Sequence, residues 1–209
     1  DDATKQAQRD AGTKLLADIE ARISRGEKQI TIPTGQYRFN KLIQGRNAKH
    51  ILWENMQGVT LDFQGSTFWF ENPKTGIFLS HNTDSTIKNL YMDWDPLPYV
   101  QGRIMAIDHD KQQLHVQLDE GYDQPTDAPL TVNPKARWRG LIFDANTREL
   151  KPRVIGFSLY NNWNSRTENG YQITSFRGFY GIKLKDSGIA VGDDIAMVRR
   201  SGRAVRIEF

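Results

Sequence analysis

The chain has 209 residues, room for one large domain or two small ones, and its 38% hydrophobic content with ten Phe, seven Tyr and five Trp excludes a disordered polymer. A net charge of +3 with interleaved signs argues against nucleic acid as the main partner, because phosphate binding wants a dense basic stripe. There is no Cys, which excludes disulfides, thiolate metal sites and Cys nucleophiles, and no run approaches the ~20 apolar residues that span a bilayer.

The chain opens on Asp1-Asp2 without Met, which we read as export with a leader removed, in preference to a trimmed start. The expected location is secreted or periplasmic. A helix follows: Ala7, Ala11, Leu15, Leu16, Ile19 and Ile23 collect on one face. Asp1 and Asp2 lie near its positive end, and Gly26 after Arg22 and Arg25 stops it. Ile30 to Phe39 then reads as strand, Pro/Gly turn and strand.

From there to about residue 95 the pattern is short β. Thr60-Leu61 and Thr86-Ile87 recur at the same place in two similar segments, each preceded by a polar turn bearing Asn55 or Asn82. Such a repeat is what stacked solenoid coils produce, since one coil cannot bury its inward face alone. An amphipathic helix ahead of the first coil would cover the open end. The pattern changes near Pro96 and Pro98. A hairpin runs from Arg103 to Leu118 about a turn at His109 to Gln112, and residues 121 to 136 form a loop. Further strands are expected around Gly140 to Phe143, Ile182 to Leu184 and Asp194 to Val198. The resulting division is 1–96 for capping helix and first coils, 97–198 for an inserted antiparallel barrel or sandwich, and 199–209 for a return to the solenoid. The alternating run from Ala204 ends in mid-strand, so the chain is expected to be truncated.

The order of helix, "ITIPTGQYRF", "GVTLDFQGSTFWF", "STIKNLYMDWDPLPYVQGRI" and "VGDDIAMVRRSGRAVRIEF" resembles the pectate-lyase-like right-handed parallel β-helix superfamily. More narrowly it is similar to bacterial α-1,3-galactosidases, β-helical glycoside hydrolases with a small barrel inserted after the first coils. In that resemblance Asp93 to Gly102 leads out of the solenoid and Val191 to Arg203 leads back. It implies a mainly β fold with an N-terminal capping helix, and hydrolysis of α-galactosidic linkages with inversion. The catalytic carboxylates are implied to lie on coils beyond residue 209.

Within the chain, glycoside cleavage would need two carboxyl groups. Asp93 and Asp95 project alike if both stand on one strand, but neighbours on one strand cannot easily flank a sugar. Turn-capping or Arg-paired roles are therefore favoured for both, with Ca²⁺ ligation a further reading that needs more clustered oxygens than the two offer. Otherwise no cofactor is expected. Asp193-Asp194 reads as a turn. Of Arg199, Arg200, Arg203 and Arg206, favoured as partners of acids on a neighbouring coil, Arg203 is kept as a site residue because it opens the returning coil.

Trp69, Trp94, Tyr99, Trp138, Tyr160 and Trp163 stand in polar segments, where flat rings suit sugar stacking. Trp94 and Tyr99, beside the exit turn, are the two selected. The candidate substrate-binding set is thus Asp93, Trp94, Asp95, Tyr99 and Arg203. The polar segment 160–172 reads as a loop reaching over a cleft. His50, His81, His109 and His115 show no ligand spacing and read as surface or structural residues. The expected partner is an oligo- or polysaccharide, with self-association through the exposed solenoid end as a second expectation. A polysaccharide lyase and a non-catalytic glycan-binding or adhesive solenoid are the alternatives to the hydrolase.

Overall fold

The structure, a computed structural model, describes residues 1–45, 48–122, 138–151, 157–160, 167, 169–177, 181–199 and 205–208. It is mainly β, with one long helix at the N-terminus, and divides into two compact units. The first comprises Asp1–Pro96 with Ser201–Phe209; the second is Leu97–Arg200.

Helix α1 spans Asp2–Ser24 and starts where Asp1 Oδ1 accepts the Thr4 N–H at 2.8 Å, satisfying one of the helix's orphan donors. It ends at Gly26, whose φ of 81° lets its N–H turn back to the Ile23 carbonyl. Leu15 and Ile19 are buried, with Ala11, Leu16 and Ile23 packed beside them. Gly12 completes this face: a Cβ there would sit 2.6 Å from the Arg38 carbonyl oxygen, so only glycine allows the helix so close to the backbone at Arg38. Ala7 departs from the expected face and is exposed. The first turns bring Lys5, Gln8 and Arg9 against the strands instead, through ion pairs and hydrogen bonds.

Unit one is built from parallel pairings. Strands β1 (Gln29–Thr31) and β2 (Gln36–Phe39) both pair with the long β4 (Thr60–Phe70), and β4 pairs with β6 (Thr86–Trp94). A second sheet orders β3 (Lys49–Glu54), β5 (Thr75–Ser80) and β13 (Val205–Glu208), with β5 in the middle. The registers set side chains in rows across the layers. Ile30, Leu61 and Ile87 form one inward row; Tyr37, Phe68 and Met92 form the next; Phe39, Phe70 and Trp94 form a third. β4 and β6 bend together, at Gln64 and Gly65 in one and Asn89 in the other, all at positive φ. The two sheets and α1 share one core, in which Leu61, Phe63, Phe68 and Phe70 are fully buried. Polar side chains tie one layer to the next. Asn82 Oδ1 accepts from Met56 N at 2.7 Å, while its amide donates to the Trp53 carbonyl at 3.0 Å.

Unit two closes on itself. Strands β7 (Tyr99–Asp108), β8 (Gln113–Leu118), β9 (Trp138–Phe143), β10 (Phe157–Tyr160), β11 (Gln172–Arg177) and β12 (Asp194–Arg199) pair antiparallel in the ring β10-β11-β8-β7-β12-β9. The β7–β8 hairpin turns where Asp108 Oδ1 accepts the Lys111 N–H at 2.9 Å. Val100, Ile104, Leu114, Val116, Ile142, Ile195 and Met197 fill the core.

Two expectations change in this unit. Ile182 to Leu184 is no strand: Leu184–Asp186 is a 3₁₀ turn, because the Leu184 N–H is taken by Gln112 Oε1 at 2.8 Å and its side chain plugs the core. The segment read as a loop over 160–172 has strands at both ends, since Tyr160 closes β10 and Gln172 opens β11. Residues 161–166 and 168 of that segment lie outside the described residues, as do 123–136 of the expected loop 121–136.

Candidate functional site

The strand alternation that builds the core of unit one also builds its outer face. In β6 the inward residues are Ile87, Leu90, Met92 and Trp94, so Tyr91 and Asp93 point outward and are exposed. The register extends them into two outward rows. One is Gln36, Thr67 and Tyr91; the other is Arg38, Trp69 and Asp93. Neighbouring parallel strands stand roughly 4.8 Å apart, so the Trp69 and Tyr91 rings lie on adjacent strands within reach of one ligand.

Trp69 is held in place from two sides. Its indole Nε1 donates to Gln36 Oε1, and the Arg38 guanidinium lies 5.5 Å from the ring centroid. Tyr91 is 68% exposed, more than any other large hydrophobic side chain among the described residues of the unit. Asp93 accepts the Trp94 N–H at 2.8 Å through one carboxylate oxygen. The surface thus combines two aromatic rings with an amide and a carboxylate, groups that can stack on an apolar ligand face and hydrogen-bond its hydroxyls.

Asp95 has a different task. Its Oδ2 lies 2.8 Å from Lys5 Nζ and 2.7 Å from an Arg38 guanidinium nitrogen. Arg38 is nearly buried and also donates to Gln8 Oε1 at 2.7 Å, while Glu71 receives two hydrogen bonds from Arg9. Helix α1 is therefore pinned to β2 and to the chain just after β4 and β6. The hydrogen bond from Lys5, aided by Arg38, holds the Asp95 carboxyl below its ordinary value.

Trp94 turns inward, its ring 5.7 Å from Phe70 and its buried Nε1 without a partner. Tyr99 belongs to unit two, half-buried with its ring 5.7 Å from that of Tyr122, whose hydroxyl accepts from Gln101 at 2.6 Å. Arg203, Arg200 and Trp163 lie outside the described residues, and the side chains of Arg199, Arg206, Trp138 and Tyr160 are not among those described. Asp193 is buried and organises a turn, accepting from Ala190 N at 2.8 Å and Lys151 Nζ at 2.7 Å. Asp194 pairs with Arg103 at 3.1 Å.

Among the described residues, no three His, Cys, Asp or Glu side chains group closely enough to hold a metal ion. In the same residues no helix is long and apolar enough to cross a membrane. Of the histidines, His50 is buried, its ring 5.1 Å from Phe70 and its Nε2 3.2 Å from the Asn72 carbonyl oxygen. Burial pushes its pKa below the ordinary value. His81 Nδ1 lies 2.7 Å from Ser80 Oγ.

Gln36, Arg38 and Tyr91 are not among the candidates that the sequence marks. A signal for Tyr91 was present, because period-two alternation through "LYMDW" places Tyr91 with Asp93 and opposite Trp94. Nothing local indicated Gln36 or Arg38, which reach the site only through strand register. No protein family and no curated protein matches this chain.

Proposed function

We propose that the chain is the N-terminal part of an exported protein that acts on carbohydrate, built as a right-handed parallel β-helix with an N-terminal capping helix and an inserted antiparallel barrel. The observation that carries the substrate class is the outward face on which Trp69 and Tyr91 are bordered by Gln36 and Asp93. Flat rings with polar groups at their edge match a sugar, which offers apolar C–H faces and a rim of hydroxyls. The parallel layers with inward rows in register support the solenoid part of the reading.

The reaction proposed is glycoside hydrolysis of an α-galactosidic linkage with inversion, its acid and base supplied by residues beyond 209. Asp95 is a poor candidate for either role, because Lys5 and Arg38 already engage its charge. Asp93 is the carboxylate of this face that can meet a sugar hydroxyl. Asp95's engagement also favours a second reading, a glycan-binding module without turnover. The proposed setting is secreted or periplasmic, with no resident cofactor.

Titrating the full-length protein with α-1,3-galactobiose while following tryptophan fluorescence tests the substrate class. Saturable quenching is expected, weakened about tenfold or more by Trp69→Ala, the equivalent of roughly 1.4 kcal/mol. No response from the unsubstituted protein would sink the carbohydrate reading. Release of free galactose by the same protein supports the hydrolase, binding without release supports the module, and an unsaturated ultraviolet-absorbing product would replace the hydrolase with a lyase.

A further inference from the structure

The outward row of Arg38, Trp69 and Asp93 carries opposite charges at its two ends. Register places Arg38 and Asp93 on either side of Trp69, each one strand away, a step of roughly 4.8 Å. The two ends differ in what they leave for a ligand. At the cationic end Arg38 is nearly buried, and its guanidinium is taken by Gln8, Glu71 and Asp95 besides lying against the Trp69 ring. Lys5 and Arg9 of α1 are likewise held, by Asp95 and Glu71. At the anionic end Asp93 is exposed and one carboxylate oxygen accepts the Trp94 N–H. Among the described residues no Lys or Arg pairs with that carboxylate.

A ligand lying on Trp69 therefore meets an unbalanced surface. On its β6 side stand the Asp93 carboxylate and the open ring of Tyr91, two residues earlier on the same face of the strand. A carboxylate and the negative faces of aromatic rings all attract a cation, and none of them attracts an anion. On the β2 side Gln36 has spent its amide oxygen on the Trp69 indole, which leaves its NH₂ to donate to a hydroxyl.

We propose that the Trp69 face selects a sugar that carries a free amine, a hexosamine, and that Asp93 sets this choice. The C–H face of the sugar lies on Trp69, its ammonium meets Asp93 beside Tyr91, and its hydroxyls turn toward Gln36. The inference rests on the carbohydrate reading above and narrows it. A neutral sugar keeps the stacking and loses the ion pair, and a uronate or sulfated sugar is repelled by Asp93 with no cation of the row left to receive it. Asp93 is thus a specificity-determining residue and not an acid or base of the reaction.

The test labels the full-length protein with 5-fluorotryptophan and follows the Trp69 ¹⁹F resonance, assigned through Trp69→Phe. The probes are D-galactosamine, N-acetyl-D-galactosamine, D-galactose and D-galacturonate, at mildly acidic pH where the free amine carries its proton. Galactosamine is expected to saturate the shift at a concentration about fivefold below galactose or the N-acetylated sugar, the scale of one exposed ion-pair or cation–π contact. Galacturonate should bind weakest. Asp93→Asn keeps an acceptor for the Trp94 N–H, and should bring galactosamine and galactose to within about twofold of each other once the ion pair is gone. An amine advantage that survives Asp93→Asn would overturn the assignment, as would equal responses to galactosamine and its N-acetyl form; either result leaves the carbohydrate reading standing. Silence with every sugar overturns both. A shift with N-acetyl-lysinamide as strong as that with galactosamine would overturn the amino sugar in favour of a peptide cation.

Discussion

The two units use similar alternating strands and solve the edge problem in opposite ways. In the antiparallel unit each of the six strands has two neighbours, and the inward residues of β7 and β8, Val100, Ile104, Leu114 and Val116, are fully buried. The parallel unit stacks its strands instead. β4 lies between neighbours and buries Leu61, Phe63, Phe68 and Phe70 completely, whereas Ile87, Leu90, Met92 and Trp94 of β6, which pairs only with β4 among the described residues, stay half-buried. Burial in a stack depends on position in the stack, whereas every strand of a ring has a partner on both sides. The same asymmetry places the exposed Tyr91 and Asp93 on β6 and confines the tightly packed polar anchors, Arg38 and Glu71, to the layers nearer α1.

The sharpest way to break this comparison is to hollow out the middle layer. Phe68→Ala removes a fully buried ring packed at 4.7 Å from Phe39 and 5.1 Å from Phe63. A loss of about 3–5 kcal/mol is expected in denaturant unfolding, read out by hydrogen exchange of β4 amides. Protection of the β7–β8 amides should fall far less; equal loss in both units would mean that their stabilities are not separable.

A gentler pair tests position within the stack. Ile104→Val in the ring should cost about 0.5–1.5 kcal/mol, and Ile87→Val on β6 less than half of that, since its side chain is already partly in water. Urea midpoints of the two variants decide the matter. Equal costs would show that β6 is as well covered as the ring.

The smallest effect is one of pH. His50 is held below its ordinary value of 6.5 by burial, so the unfolded chain binds the proton more readily than the folded one. Its contribution therefore leaves unit one fully stable above about pH 6.5 and progressively weaker as pH falls beneath it. Asp95 acts in the same direction at lower pH, its ion-pair stabilisation being present above its unfolded value of 3.8 and lost as pH falls through its lower folded value. His50→Phe, which keeps a ring against Phe70, should flatten the slope just below pH 6.5 and leave the more acidic limb. A slope unchanged by the substitution would remove His50 from this account.

Much of the secondary structure was legible along the chain. The helix followed from its apolar spacing and its terminal signals, and the β7–β8 hairpin from alternation about a polar turn. The match between Thr60-Leu61 and Thr86-Ile87 proved to be a parallel register, with those residues directly paired. Strand β11 was missed because its buried face carries Gln172 and Thr174, which read as loop. The turn at Leu184 was misread because an apolar residue amid polar ones looks like a strand until its backbone partner, Gln112, is known.

At the candidate site the division is sharper still. Composition and local pattern by themselves determined a mainly β chain with a leading helix, and they marked the stretch around Asp93 as the place where aromatic and acidic residues meet. Only the tertiary structure decided which of those residues share a surface. It turned Trp94 into the core, tied Asp95 to Lys5 and Arg38, and set Trp69 beside Tyr91 and Asp93. The reason is physical. Alternation along one strand is a local property of the backbone, but the neighbours of a side chain across strands are set by register, and register is chosen by the whole core at once.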